Sequence, residues 1–134
     1  FVTGCDSGSQ SSIRVEDPWI RLPAVPERPA VGYGTLVVKE NVGALVGVSS
    51  PRARTIEIHQ TVTRGSMASM RKIDAIQQLN PDFVFEPGGM HLMLFEVDRK
   101  LKSGDKADLV FRFEYGRQVT ASAIVVGAGD SAPY

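Results

Sequence analysis

EPGGMHLMLFEV, residues 86–97, is the stretch whose reading decides how this chain folds. Its middle, Met90 to Phe95, reads as a buried β-strand that follows a glycine pair. Side chains alternate between the two faces of a strand. Met90, Leu92 and Leu94 therefore share one face, which reads as ordinary core. His91, Met93 and Phe95 share the other, which sets an imidazole beside a thioether.

TIEIHQTVT, residues 55–63, obeys the same rule. Ile56, Ile58 and Val62 form an apolar face. Thr55, Glu57, His59, Thr61 and Thr63 form a polar one, so His59 points toward solvent or a surface site rather than into a core. Past it comes RGSMASMRKI, with Met67 and Met70 around a turn. Outward from these two segments the chain is a series of short alternating or apolar runs broken by Gly, Pro, Asn and Asp. Strands are expected at Ile13–Val15, Trp19–Leu22, Gly32–Lys39, Ala44–Ser49, Thr55–Thr63, Ser69–Ile73, Phe83–Glu86, Met90–Glu96, Ala107–Tyr115 and Gln118–Val126. Leu109, Phe111 and Phe113 fall on one face of their run. Three prolines make Pro23–Ala30 a loop. Trp19 reads as a packing residue, and residues 127–134 read as a frayed tail. Many short strands with frequent turns argue for an all-β, antiparallel sandwich or barrel.

The bulk numbers fit one such domain. There are 134 residues, 43% of them apolar and 22% charged, with 15 basic against 15 acidic side chains. A balanced chain without a basic run gives no support for nucleic-acid binding. No apolar run is long enough to span a bilayer. The single cysteine, Cys5, excludes an internal disulfide. It follows VTG and precedes the Ser/Gly-rich DSGSQSS, like the end of a bacterial lipobox. Residues 1–12 are accordingly expected to be a signal-peptide remnant, a lipidation site at Cys5 and a flexible tether. Residues 13–126 are the expected domain.

There are only two histidines, so any imidazole chemistry must use His59, His91 or both. Each sits in a segment that also carries methionine. Thioether is a soft neutral donor and imidazole a borderline one; together they suit Cu(I), whereas hard cations want oxygen and zinc sites seldom use Met. A thiol-free soft site also suits an oxidising compartment. Methionine is equally a common core filler, so these residues alone leave both packing and metal binding open. A blue-copper electron-transfer site would need a cysteine near the histidines, and the only one lies in the N-terminal segment. A metal-free β-sandwich interaction module stays as the alternative. No local nucleophile motif supports an enzyme.

The chain also resembles a known family, the periplasmic copper(I) chaperones of PCu(A)C type. The match runs from about Ile13 to Val125, through VEDPWIRLP, GYGTLVV, LVGVSSPRARTIEIHQ, MRKID, EPGGMHLML and LKSGDKADLVFRFE. The family's copper motif is a histidine, ten intervening residues, a methionine, a longer gap, then His-x-Met. Here ten residues separate His59 from Met70, and twenty separate Met70 from His91, with Met93 completing the motif. The second gap is one residue shorter than usual, in the QQLNPD loop region. Gln60 stands where some relatives place a further methionine.

The resemblance implies a cupredoxin-like Greek-key barrel or sandwich and one Cu(I) held by His59, Met70, His91 and Met93. Met67 is a spare thioether and Met90 a possible rim or additional ligand. It implies a monomeric, extracytoplasmic or periplasmic chaperone, tied to a membrane only through a lipid at Cys5. The recipient would be the dinuclear copper centre of cytochrome c oxidase, reached directly or through a thiol-bearing assembly protein. Both imidazoles must be neutral to bind metal, so affinity is expected to fall at mildly acidic pH.

Overall fold

The computed structural model describes residues 12–77, 79 and 82–134. Cys5 lies outside the described residues, so its expected role has no structural counterpart here. Among the described residues every regular element is a strand: β1 (Ile13–Arg21), β2 (Ala30–Val38), β3 (Leu45–Ser49), β4 (Ala53–Arg64), β5 (Met67–Ile73), β6 (Asp82–Phe85), β7 (Met90–Val97), β8 (Lys106–Phe113) and β9 (Gln118–Val126).

The strands pair in the order β3-β8-β9-β1-β2-β7-β4-β5, with β6 against β2. β2 is shared along its length. Ala30–Gly32 pair with β7, and Gly34–Val37 pair with β6. The two ends of the sheet are stitched together beyond β5. Leu45 and Ile76 exchange both backbone hydrogen bonds, at 2.9 and 3.0 Å. That bridge closes the curled sheet into a barrel.

The inner face is the alternation seen in the sequence. Ile58 of β4, Leu92 and Leu94 of β7, and Leu109, Phe111 and Phe113 of β8 are all buried in one continuous core. Trp19 packs as expected: its ring lies 4.6 Å from that of Tyr33, and the Arg21 guanidinium sits 5.0 Å above it.

Three features depart from the sequence expectations. Ile13–Val15 and Trp19–Leu22 are one strand, kinked by a bulge between Glu16 and Trp19. Asp17 takes φ 51° there, and Pro18 offers no N–H to the ladder, so the extra residues are absorbed without ending the strand. Not every pairing is antiparallel: Trp19–Arg21 run parallel to Ile124–Val126 of β9. Residues 127–134 are not frayed. Asp130 accepts from the Gly127 N–H at 2.7 Å and from the Ser103 hydroxyl at 3.1 Å, Arg21 donates to the Asp130 carbonyl, and the Tyr134 hydroxyl donates to the Pro18 carbonyl at 3.2 Å.

β4 does two jobs. Its residues up to Gln60 pair with β7, while Ile58–Arg64 pair with β5. Past Gln60, β4 and β5 run on as a two-stranded ribbon whose β5 strand is exposed on both faces except at Ile73.

Candidate metal centre

Register places the donors. In the β4–β7 ladder His59 pairs with His91, Glu57 with Met93, and Thr55 with Phe95. Residues directly opposite in an antiparallel pair point to the same face. The two polar half-faces read from the sequence are therefore one surface, on the outside of the barrel wall. The β4–β5 ladder extends it: Thr61 pairs with Met70 and His59 with Lys72. Met70 is thus the diagonal neighbour of His59 on the same face, within reach of a long side chain.

The same register sorts the other methionines. Met67 pairs with Arg64, which alternation sets on the opposite face from His59. Met90 pairs with Gln60, also opposite, and packs against the core.

Burial is graded across the face. His91 is only 3% exposed and Met93 9%, while the His59 side chain keeps 15% of its surface. Met70, on the ribbon, is 59% exposed and Met67 75%. The imidazole centroids of His59 and His91 are 6.1 Å apart, with ring planes at 45°.

Each imidazole uses one nitrogen within the protein. His59 Nε2 donates to Glu57 Oε1 at 2.9 Å, and His91 Nδ1 donates to the Gly89 carbonyl at 3.1 Å. Both partners are pure acceptors, so those nitrogens carry the protons in neutral rings and the others keep free lone pairs. The others are His59 Nδ1 and His91 Nε2. Both are buried and neither has a partner. Buried polar atoms are nearly always paired, and two orphans on facing residues of adjacent strands call for a ligand. A metal-bound histidine typically donates its second nitrogen to a carboxylate or backbone carbonyl, as both of these do. Among the described residues no group of three or more His, Cys, Asp or Glu converges on a common point. Further donors to an ion held by the two imidazoles would come from the thioethers of Met93 and Met70, and that donor set favours a soft monovalent metal.

The glycine pair has a specific part in this. Gly88 takes φ 85°, a conformation that side chains resist, and turns the chain between β6 and β7. The Gly89 carbonyl accepts the Thr61 N–H at 3.1 Å as well as His91 Nδ1. Sequence reasoning missed Glu57. The available signal was its place two residues before His59 on a strand, hence on the same face.

Residues 13–125 match the model of the LpqE-like family, described as "Putative lipoprotein LpqE-like". The chain belongs to that family. Among curated relatives of this LpqE-like chain, the uncharacterized protein RP573 of Rickettsia prowazekii (strain Madrid E) is 30% identical over 117 residues, 82% of this chain and 64% of that one. "Putative lipoprotein Lxx21020" of Leifsonia xyli subsp. xyli is 29% identical over 112 residues, 78% of this chain and 63% of that one. The chain therefore spans a little under two thirds of the length of either.

Among solved structures, the copper-bound PCuAC domain from PmoF2 aligns with a TM-score of 0.68 at 27% identity, over 87% of this chain and 94% of that domain. Apo-DR1885 from Deinococcus radiodurans aligns with a TM-score of 0.64 at 23% identity, over 96% of this chain and 89% of its own, a likeness of fold. The LpqE-like chain thus has the cupredoxin-like β fold of PCuAC domains, as its sequence resemblance implied.

Proposed function

We propose that this protein is an extracytoplasmic copper chaperone. It binds one Cu(I) through His59, Met70, His91 and Met93 and hands it to a partner protein. The observation that carries the reading is the pair of buried, unpartnered nitrogens, His59 Nδ1 and His91 Nε2, on a face shared with Met93 and Met70. The copper-bound state of the PmoF2 domain, at 27% identity, supports copper as the cargo.

The chemistry of the donors suits transfer. Two neutral imidazoles and two thioethers add no negative charge, so Cu(I) is held by soft donation rather than by ion pairing. An acceptor's thiolates are stronger donors and give the transfer a downhill direction. Met70 is the most exposed of the four ligands and is the first an acceptor can replace. The acceptor fitting this role is the dinuclear copper site of cytochrome c oxidase or a thiol-bearing assembly protein that serves it. The lipoprotein description of the family supports a lipid on Cys5 that anchors a monomeric domain at the outer side of a bacterial membrane. No step here requires catalysis.

The test is Cu(I) competition against a colorimetric chelator for the wild type and the four single alanine variants. One Cu(I) per chain is expected, with a loss of at least tenfold in affinity for each variant. Equal, weak binding by the wild type and His91→Ala would sink the proposal.

A further inference from the structure

The two histidines are held by different nitrogens, and that difference has a cause in one side chain. We infer that Glu57 is a positioning residue: it fixes His59 as an Nδ1 donor facing an Nε2 donor from His91, so that a soft cation is gripped by an asymmetric imidazole pair. The inference rests on the copper reading above and goes further by assigning the donor atom on each ring.

The argument begins from strand geometry. Glu57 and His59 are two apart on β4, so both side chains rise from the same face. The Glu57 carboxylate meets the far nitrogen of the ring, Nε2, at 2.9 Å. That leaves the nitrogen nearer the backbone, Nδ1, buried and free. On His91 the order is reversed. Its near nitrogen, Nδ1, is engaged by its own turn through the Gly89 carbonyl, and the far one is free. The rings come from residues directly paired across β4 and β7. One near and one far nitrogen stagger the approach of the two rings, on a face that also carries Met93, two residues further along β7.

Glu57 is itself held. Its second oxygen, Oε2, lies 3.9 Å from Lys72 Nζ, and Lys72 pairs with His59 across the β4–β5 ladder. Its flank away from the histidines opens on a cleft of about 250 Å³, also lined by Lys72 and Arg112. The carboxylate is thus oriented from two sides while staying in touch with solvent. His91 needs no such side chain, because a backbone carbonyl performs the equivalent service. Among the described residues Glu57 is therefore the one side chain hydrogen-bonded to either imidazole, and the one through which a substitution would act on the choice of nitrogen.

The test is heteronuclear NMR on the chain labelled with the heavy nitrogen isotope, apo and with Ag(I). Silver(I) is a soft monovalent ion whose nuclear spin splits the signal of a directly bonded nitrogen. The expected apo state is the Nε2–H tautomer for His59 and the Nδ1–H tautomer for His91. With silver, the splitting should fall on His59 Nδ1 and His91 Nε2. Glu57→Gln retains an acceptor oxygen and should keep this pattern. Glu57→Ala should give a mixed tautomer at His59, leave His91 unchanged, and weaken Cu(I) binding about tenfold or more, the usual effect of losing an outer partner of a ligating histidine. Silver coupling at His59 Nε2 would overturn the inference. So would a Glu57→Ala variant with wild-type tautomer and affinity, even with the copper reading intact. If neither imidazole couples to silver and the wild type binds no Cu(I), the copper reading falls and this inference with it.

Discussion

Replacing His91 by leucine should make the metal-free protein more stable and remove the proposed copper site. His91 is almost fully buried, and its Nε2 has no partner. A buried, unsatisfied polar group costs about 1–3 kcal/mol, and the hydrogen bond lost with the ring contributes about 0.5–1.5 kcal/mol. The Gly89 carbonyl is not orphaned by the change, because it keeps the Thr61 N–H at 3.1 Å. Leucine also fills a similar volume, so no large cavity opens. The balance is about 1 kcal/mol in favour of His91→Leu, a rise of about 2–6 °C in Tm for a domain of this size. His91→Ala, by contrast, leaves a void and should be less stable than the wild type. Excess Cu(I) should reverse the order of wild type and His91→Leu, since a ligand at a thousand times its Kd adds about 4 kcal/mol to the state that binds it. Thermal unfolding with a chelator and then with Cu(I) reads both effects. If His91→Leu lost more than about 1 kcal/mol without metal, His91 would be a structurally satisfied residue, and the reasoning from the orphan nitrogen would be wrong.

Met70→Ala should weaken Cu(I) binding at least tenfold while Met67→Ala leaves it unchanged, because the register sets only Met70 on the face of His59; both side chains are exposed, so neither variant should shift stability by more than about 0.5 kcal/mol, and a chelator titration beside a urea melt checks the pair. Gly43→Ala should destabilise by about 2 kcal/mol or more in urea unfolding: Gly43 sits at φ 78° and a Cβ there would lie 2.7 Å from Glu114 Cβ, so the left-handed backbone cost of about 1–2 kcal/mol is joined by a clash. Asp98→Asn should lower stability at neutral pH, with the gap to wild type closing in acid. The Lys100 N–H first, and the Arg52 guanidinium after it, hold the Asp98 carboxyl below the usual carboxylate range. Its contribution is therefore full above the ordinary aspartate pKa and is lost as pH falls through the lowered one. A pH series of urea midpoints tests the sign, and a gap that widens toward acid would contradict it.

Alternation alone made half of the site legible. Period two in residues 90–95 separated His91 and Met93 from Leu92 and Leu94, and the same rule put Glu57 and His59 opposite Ile56 and Ile58. It could not say that the two polar half-faces are one surface. That depends on β4 and β7 being neighbours in the register His59–His91, a contact between residues far apart in sequence. The choice between Met70 and Met67 was nearer the surface of the sequence than it looked. With Gly65 and Ser66 as a two-residue turn, counting back along the hairpin pairs Met70 with Thr61. The parallel β1–β9 pairing and the anchoring of residues 127–134 left no periodic trace, because both are made by contacts between residues far apart in sequence. The bulge at Asp17–Pro18 shows in the sequence only as a break, because a proline alone does not distinguish a bulge from a strand end.

The barrel divides the donors by how firmly they are held, and that division follows from strand pairing rather than from the donors themselves. β7 is bordered by β2 and β4, so His91 and Met93 sit on an interior strand: both lie in the ladder to β4, and Met93 lies in the ladder to β2 as well. His59 lies where β4 is paired by β7 and β5 together. Met70 lies on β5, which pairs with β4 alone and buries almost none of its surface. Segments with few buried contacts open at the lowest free energy. In the proposed transfer three ligands therefore keep their geometry while the fourth detaches with a small local opening of the ribbon. The order of ligand exchange is set by topology: the ribbon thioether leaves first, and the two histidines, each anchored through its other nitrogen, leave last.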